Sequence, residues 1–193
     1  DVTSGELIFE LKREHTVRAL AFSNNNTRLA AGGDDKTVAL FDVASSDLRG
    51  RKECEHDVWA VKFSHDGHSL AVGDGSGRVA LYTVPTPDGK FREKLSFKRT
   101  DAVRTVAFSP DGKLLAIGSE DHKVAVYEIS TGHQLHEIER GDNVLRVAFL
   151  PKTGKTTLAV GGWDGILALY NTESGEQLQE IPRNSAVRDL SFS

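Results

Sequence analysis

Five segments of this chain read as copies of one another, and that repetition limits the fold more than any other property of the sequence. The copies open at Val17, Val58, Val103, Val144 and Val187, at intervals of 41, 45, 41 and 43 residues. Each opens on the pattern Val-x-x-Val/Leu-x-Phe, which ends at Phe22, Phe63, Phe108, Phe149 and Phe192. A polar turn follows, as in Ser64-His65-Asp66-Gly67 and Ser109-Pro110-Asp111-Gly112. Asp-Gly and Pro-Asp-Gly close tight turns, because Gly tolerates positive φ and Pro presets the first torsion.

Three further strands are predicted in each complete copy. The second is rich in small residues: Leu29-Ala30-Ala31-Gly32, Leu70-Ala71-Val72-Gly73, Leu115-Ala116-Ile117-Gly118 and Leu158-Ala159-Val160-Gly161. Residues of that size suit a crowded place near a centre. The third alternates, as in Val79-Ala80-Leu81-Tyr82. The fourth is more polar, as in Gln134-Leu135-His136-Glu137-Ile138-Glu139. No stretch sustains a helical period. A period of roughly 40–45 residues built from four short strands points to the blades of a β-propeller, each a sheet that buries its faces only by stacking on neighbours.

The run from Val103 to Ser119, Val-Arg-Thr-Val-Ala-Phe-Ser-Pro-Asp-Gly-Lys-Leu-Leu-Ala-Ile-Gly-Ser, resembles the core of a WD repeat, and the likeness extends over the whole chain. The Gly-His signature of that family survives in part, as Glu14-His15 and Glu55-His56; Asp101, Asp142 and Ser185 stand there later. The turn aspartate is present as Asp35, Asp121 and Asp164, with Ser76 in the second copy. The Trp-Asp pair is replaced by Phe41-Asp42, Tyr82-Thr83, Tyr127-Glu128 and Tyr170-Asn171. The resemblance implies a structural role for His15, Asp35, His56, Asp121 and Asp164. With the Trp N–H gone, and Ala31, Val72, Ile117 and Val160 in place of a hydroxyl, only His15 and Asp35 are expected to pair. Blades of this kind are expected to depend mainly on apolar stacking.

The expected fold is all-β: an arc of four-stranded antiparallel blades, four complete copies with one strand of a further blade at each end. Asp1-Val2-Thr3-Ser4-Gly5-Glu6 matches Asn171-Thr172-Glu173-Ser174-Gly175-Glu176, so residues 1–193 are expected to start and end inside a blade. The remaining blades would come from the same longer chain or from an associating copy.

The rest of the sequence narrows the function by what it lacks. Lys and Arg number 24 against 28 Asp and Glu, a formal charge of −4, and no basic block stands out, so nucleic acid is not an expected partner. The single cysteine, Cys54, rules out an internal disulfide and fits a reducing compartment. No apolar run reaches the ~18 residues of a membrane helix, and Asp1 to Phe9 show no signal peptide. A cytoplasmic location is expected, with a cytoskeletal or nuclear one compatible. The sequon at Asn25-Asn26-Thr27 reads as a surface turn.

Candidate chemical motifs dissolve into the repeat. Gly154-Lys155-Thr156 lacks the earlier glycine and following helix of a phosphate loop. Gly73-Asp74-Gly75-Ser76-Gly77 lies between antiparallel strands, not between a strand and a helix. His65 with His68, and His133 with His136, are single pairs on polar segments, too few ligands for a metal. No catalytic, metal or cofactor site is expected, and the chain is read as a non-enzyme.

The resemblance implies a binding surface at the narrow end of the propeller channel, with two positions per blade. One follows the first-strand valine: Arg18, Trp59, Arg104, Leu145 and Arg188. The other precedes the turn aspartate: Asp34, Gly75, Glu120 and Trp163. Both rows break the apolar alternation around them. They hold both tryptophans, and Trp and Arg are typical interface anchors. Two readings stay open for each Trp: a partner anchor, or local packing under a neighbouring Arg. The function expected is a scaffold for proteins or peptides in a cytosolic or cytoskeletal assembly. Alternatives are a reader of nucleic acid or anionic lipid through the arginines and, last, a propeller enzyme.

Overall fold

The computed structural model describes residues 3, 5–7, 10–84, 88–151 and 156–192. Pro85-Thr86-Pro87 and the Gly154-Lys155 pair lie outside the described residues.

Sixteen strands form four antiparallel sheets, each built from four strands consecutive in the chain. The first contains β1 (Val17–Phe22), β2 (Arg28–Gly33), β3 (Thr37–Asp42) and β4 (Leu48–Glu53). The second contains β5 (Val58–Phe63), β6 (Ser69–Asp74), β7 (Arg78–Thr83) and β8 (Arg92–Lys98). The third contains β9 (Val103–Phe108), β10 (Leu114–Ser119), β11 (Lys123–Glu128) and β12 (Gln134–Glu139). The fourth contains β13 (Val144–Phe149), β14 (Thr157–Gly162), β15 (Ile166–Asn171) and β16 (Gln177–Pro182). This is an unclosed β-propeller arc of four blades. Residues 186–192 form no ladder, although Val187 packs on Gly161 as the first-strand valines do elsewhere.

The turns explain the short strand spacing. In the β9–β10 turn, Asp111 accepts hydrogen bonds from the Ser109 hydroxyl and the Lys113 N–H, and Gly112 takes φ +71°. Asp66 does the same with Ser64 and the His68 N–H. The serine bonds hold both carboxyls below the usual carboxylate range, against a smaller opposing effect of burial. A lowered folded-state pKa contributes stability above the unfolded value, and that contribution is lost as pH falls through the folded one. Asp111→Asn is therefore expected to destabilise at neutral pH, by less than the ~1 kcal/mol of a typical hydrogen bond because the turn is solvated. The difference from the parent should close on acidification in denaturant titrations at stepped pH.

Three apolar layers hold the blades together, one at each junction. Leu40, Val58, Phe63 and Tyr82 belong to the first layer, Val79, Val103, Phe97 and Tyr127 to the second, and Val124, Val144, Phe149 and Tyr170 to the third. The small residues of the second strands have a definite role here. A Cβ on Gly73 would stand 2.6 Å from Cγ1 of Val103, and one on Gly118 would stand 2.6 Å from Cγ1 of Val144. Each opening valine thus fits into a glycine of the preceding blade. On blade 1 the same face is open: Leu20 and Phe22 are 62% and 57% exposed, where Val61 and Phe63 are buried. Among the described residues, no helix is long and apolar enough to cross a membrane.

Candidate functional site

The first strands carry a backbone device that the sequence pattern only hinted at. In blade 1, Val17 pairs with Gly33 and Ala19 with Gly32, so Arg18 is an extra residue with no partner of its own. The same bulge falls on Trp59 between Val58 and Ala60, on Arg104 between Val103 and Thr105, and on Leu145 between Val144 and Arg146. A bulge re-aims the side chain it carries. This is why the row departs from alternation: each of its members stands outside the ladder.

The bulges of adjacent blades converge on Trp59. The Arg104 guanidinium lies 4.2 Å from the Trp59 ring centroid and that of Arg18 lies 5.5 Å from it. Arg18 donates from Nε and Nη2 to Asp34, and Arg104 from Nε and Nη2 to Glu120. The bond from Arg18 holds the Asp34 carboxyl below its ordinary range. Asp34, Gly75, Glu120 and Trp163 form the second row, and Gly75 leaves the space the Trp59 ring covers: a Cβ there would touch the ring at 3.5 Å. Trp59 Nε1 is buried and has no hydrogen-bond partner among the described residues. Leu145 is buried, and Arg188 sits over the half-exposed Trp163 ring at 4.7 Å. Each tryptophan thus lies under at least one arginine, and Trp163 keeps an exposed face.

A cleft of about 640 Å³ runs along the first strands of the four blades and has this cluster in its wall. Its wall includes Arg18, Trp59, Lys62, Arg104 and Arg146, with Thr105 and small residues such as Ala60 and Ala107 between them.

The structural residues are arranged differently from expectation. Asp35 does not pair with His15, which is exposed; it is held by Arg13, whose Nη2 lies 2.5 Å from Oδ1. Arg13 also donates to the Ala31 and Thr37 carbonyls and to the Thr37 hydroxyl. Burial pushes the Asp35 carboxyl up, but the bonds from Arg13 and Thr37 outweigh it and leave it lowered. His56 is exposed as well. Asp121 is held by Arg99 at 2.8 Å and Asp164 by Arg140 at 2.8 Å, and in all three pairs both side chains are almost wholly buried.

Arg99 and Arg140 act as pins between blades, and the Arg140 N–H donates to the His122 carbonyl of blade 3. The Arg99 N–H donates to the Gly77 carbonyl in blade 2, while its side chain enters blade 3 and also donates to Glu137. Arg140 donates to the Tyr170 hydroxyl as well as to Asp164. The tyrosine at the place of the family's Trp therefore accepts a bond, and the donor is an arginine. Expecting apolar stacking alone to carry the blades left out this ionic layer. Its sequence signal was a nearly constant interval: Arg13, Arg99 and Arg140 stand 22, 22 and 24 residues before their partners. Blade 2 is the exception. Cys54 stands at the arginine's place, Ser76 at the aspartate's, and Asp74 closes the turn instead by accepting from the Ser76 and Arg78 N–H groups. Burial pushes the Cys54 thiol up.

The family model for the WD domain, G-beta repeat, matches residues 5–42 and 48–83, and the model for the anaphase-promoting complex subunit 4 WD40 domain matches residues 90–152. The chain belongs to the WD-repeat family. No curated protein matches it. WD40 repeats generally mediate protein–protein interactions, and WD40 propellers are typically non-enzymatic scaffolds. Among the described residues, no three His, Cys, Asp or Glu side chains converge as a metal site would require.

Proposed function

We propose that this WD-repeat chain is a non-enzymatic scaffold that presents the bulge end of its cleft to a peptide or protein segment. The observation that carries the reading is the Arg18–Trp59–Arg104 stack, three side chains from three blades lifted out of their ladders to one place. Trp supplies large contact area at low cost in side-chain freedom, and the two arginines, stacked on its ring and bonded to Asp34 and Glu120, are already ordered before a partner arrives. Trp163, with Arg188 over one face, adds a second aromatic surface. The alternative reader of nucleic acid or lipid draws less support, because the Asp34 and Glu120 carboxylates stand beside Arg18 and Arg104 and oppose the continuous row of phosphates such a ligand presents.

Trp59→Ala, Arg104→Ala and Trp163→Ala test the proposal. Each is expected to weaken capture of a protein partner about tenfold or more. Trp163→Ala should leave the thermal midpoint within a degree or two, since half of its surface is exposed. Trp59→Ala removes packed area and should cost more stability, so its binding loss is measured well below its own midpoint. Capture that survives all three changes on folded protein removes the assignment.

A further inference from the structure

The cleft has a charge pattern that the chain as a whole does not. Formal charge over the chain is −4, yet the cleft wall carries Arg18, Lys62, Arg104 and Arg146 against one carboxylate, Asp189. The counter-charges of Arg18 and Arg104 come from Asp34 and Glu120, which are not part of the wall. The decisive point is how many donors stay open. Arg18 and Arg104 use Nε and Nη2 on their carboxylates, leaving Nη1 of each unbonded among the described residues. Arg146 uses Nε on Asp189 and Nη1 on the Leu145 carbonyl, leaving Nη2. The Lys62 side chain is exposed on β5 and makes no hydrogen bond or ion pair among the described residues.

We infer that the cleft takes an extended acidic segment of a partner protein, with its carboxylates on Lys62, on Arg146 and on the open edges of Arg18 and Arg104. This rests on the scaffold reading and names the chemistry of the occupant. The donors lie on the first strands of all four blades; Arg18 and Arg104 meet over Trp59, whereas Lys62 and Arg146 stand three residues and one residue beyond the bulges of β5 and β13, so the donors occupy more than one place on the wall. A single anion would use one of them, whereas a chain with repeated carboxylates uses several. Small wall residues, Ala19, Ala60, Ala107 and Ala148, leave room for a peptide backbone between the charged side chains. Asp34 and Glu120 beside the arginines oppose a polyphosphate, whose continuous charge cannot avoid them, more than a peptide whose acidic residues are spaced.

The test is fluorescence anisotropy on the 193-residue chain with three labelled peptides of one length: Asp/Glu-rich, the Asn/Gln isostere, and Lys-rich. Labelled oligouridylate serves as a fourth probe. The acidic peptide is expected to bind at least about tenfold tighter than its isostere, with the preference shrinking as salt rises. Lys62→Glu and Arg146→Glu should each remove most of that preference, while Lys113→Glu on the distant β9–β10 turn should leave it intact. Equal binding of acidic and neutral peptides, both lost in Trp59→Ala, overturns the acidic inference and keeps the scaffold reading. Preference for oligouridylate over the acidic peptide overturns it in favour of the nucleic-acid alternative. Binding of the acidic peptide unchanged by both reversals also overturns it, because the charge would then act elsewhere.

Discussion

Arg99→Ala is expected to lower the unfolding midpoint by roughly 6–20 °C, the consequence of about 3–5 kcal/mol lost when one member of a buried ion pair is removed. The magnitude follows from burial. Arg99 and Asp121 are 5% and 6% exposed at their side chains, so water cannot reach the carboxylate left behind. Asp121→Ala should cost a similar amount, because it strands the guanidinium. Glu137 compensates little: it is shared with Lys123 and lies on the outer strand β12. Blade 2 shows what a tolerated change looks like. Cys54 and Ser76 occupy the same two positions without charge, and the blade keeps its four strands and its buried layer. The double substitution Arg99→Cys, Asp121→Ser should therefore recover most of the loss, since replacing both partners of a buried pair leaves no orphan charge. Circular dichroism melts of the two single variants and the double variant decide it. A double variant as weak as the sum of the singles would show that the pair is not a self-contained unit.

The repeat made the strands, their order and the antiparallel sheets legible, because a buried blade face demands apolar residues at fixed places and nothing else in the chain competes for them. Gly32, Gly73, Gly118 and Gly161 were readable as marks of crowding, and the structure supplies what crowds them. The arginine pins were harder to see. Arg99 and Arg140 follow polar fourth strands, where a cation reads as solvated, and only the joint change to Cys54 and Ser76 ties each to an aspartate more than twenty residues on. His15 drew attention to the wrong donor because it lies two residues beyond Arg13 and has the familiar residue type. The bulge row was legible for a sound reason: Arg18, Trp59 and Arg104 contradict the alternation on either side. Which way each side chain turns was not, since that depends on blades brought together from 40 or more residues apart.

Gly73→Ala should destabilise by about 1–3 kcal/mol, the usual cost of overpacking a filled core. One added methyl would meet Val103 at 2.6 Å and 3.1 Å, and Val103 is fully buried, with nowhere to move. Val103→Ala on its own opens a cavity and also destabilises. Together the two should cost less than their sum by about 1 kcal/mol or more, the coupling of residues in direct contact. Gly67→Ala is the control: a Cβ there meets nothing within 4 Å, its φ is +70°, and its cost of about 1 kcal/mol comes from backbone strain with no coupling to Val103. The same wedge carries to the site. Trp59 rides on blade 2, Arg104 on blade 3 and Arg18 on blade 1, so each half of the clamp spans a different junction. Forcing blades 2 and 3 apart at Gly73 should loosen the Arg104 half and spare the Arg18 half. Tryptophan emission read in a Trp163→Phe background should then shift in Gly73→Ala and return when Val103→Ala is added. An unshifted spectrum with the stability loss intact would mean that the clamp is set within each blade, and that the spacing of the blades does not govern the binding end.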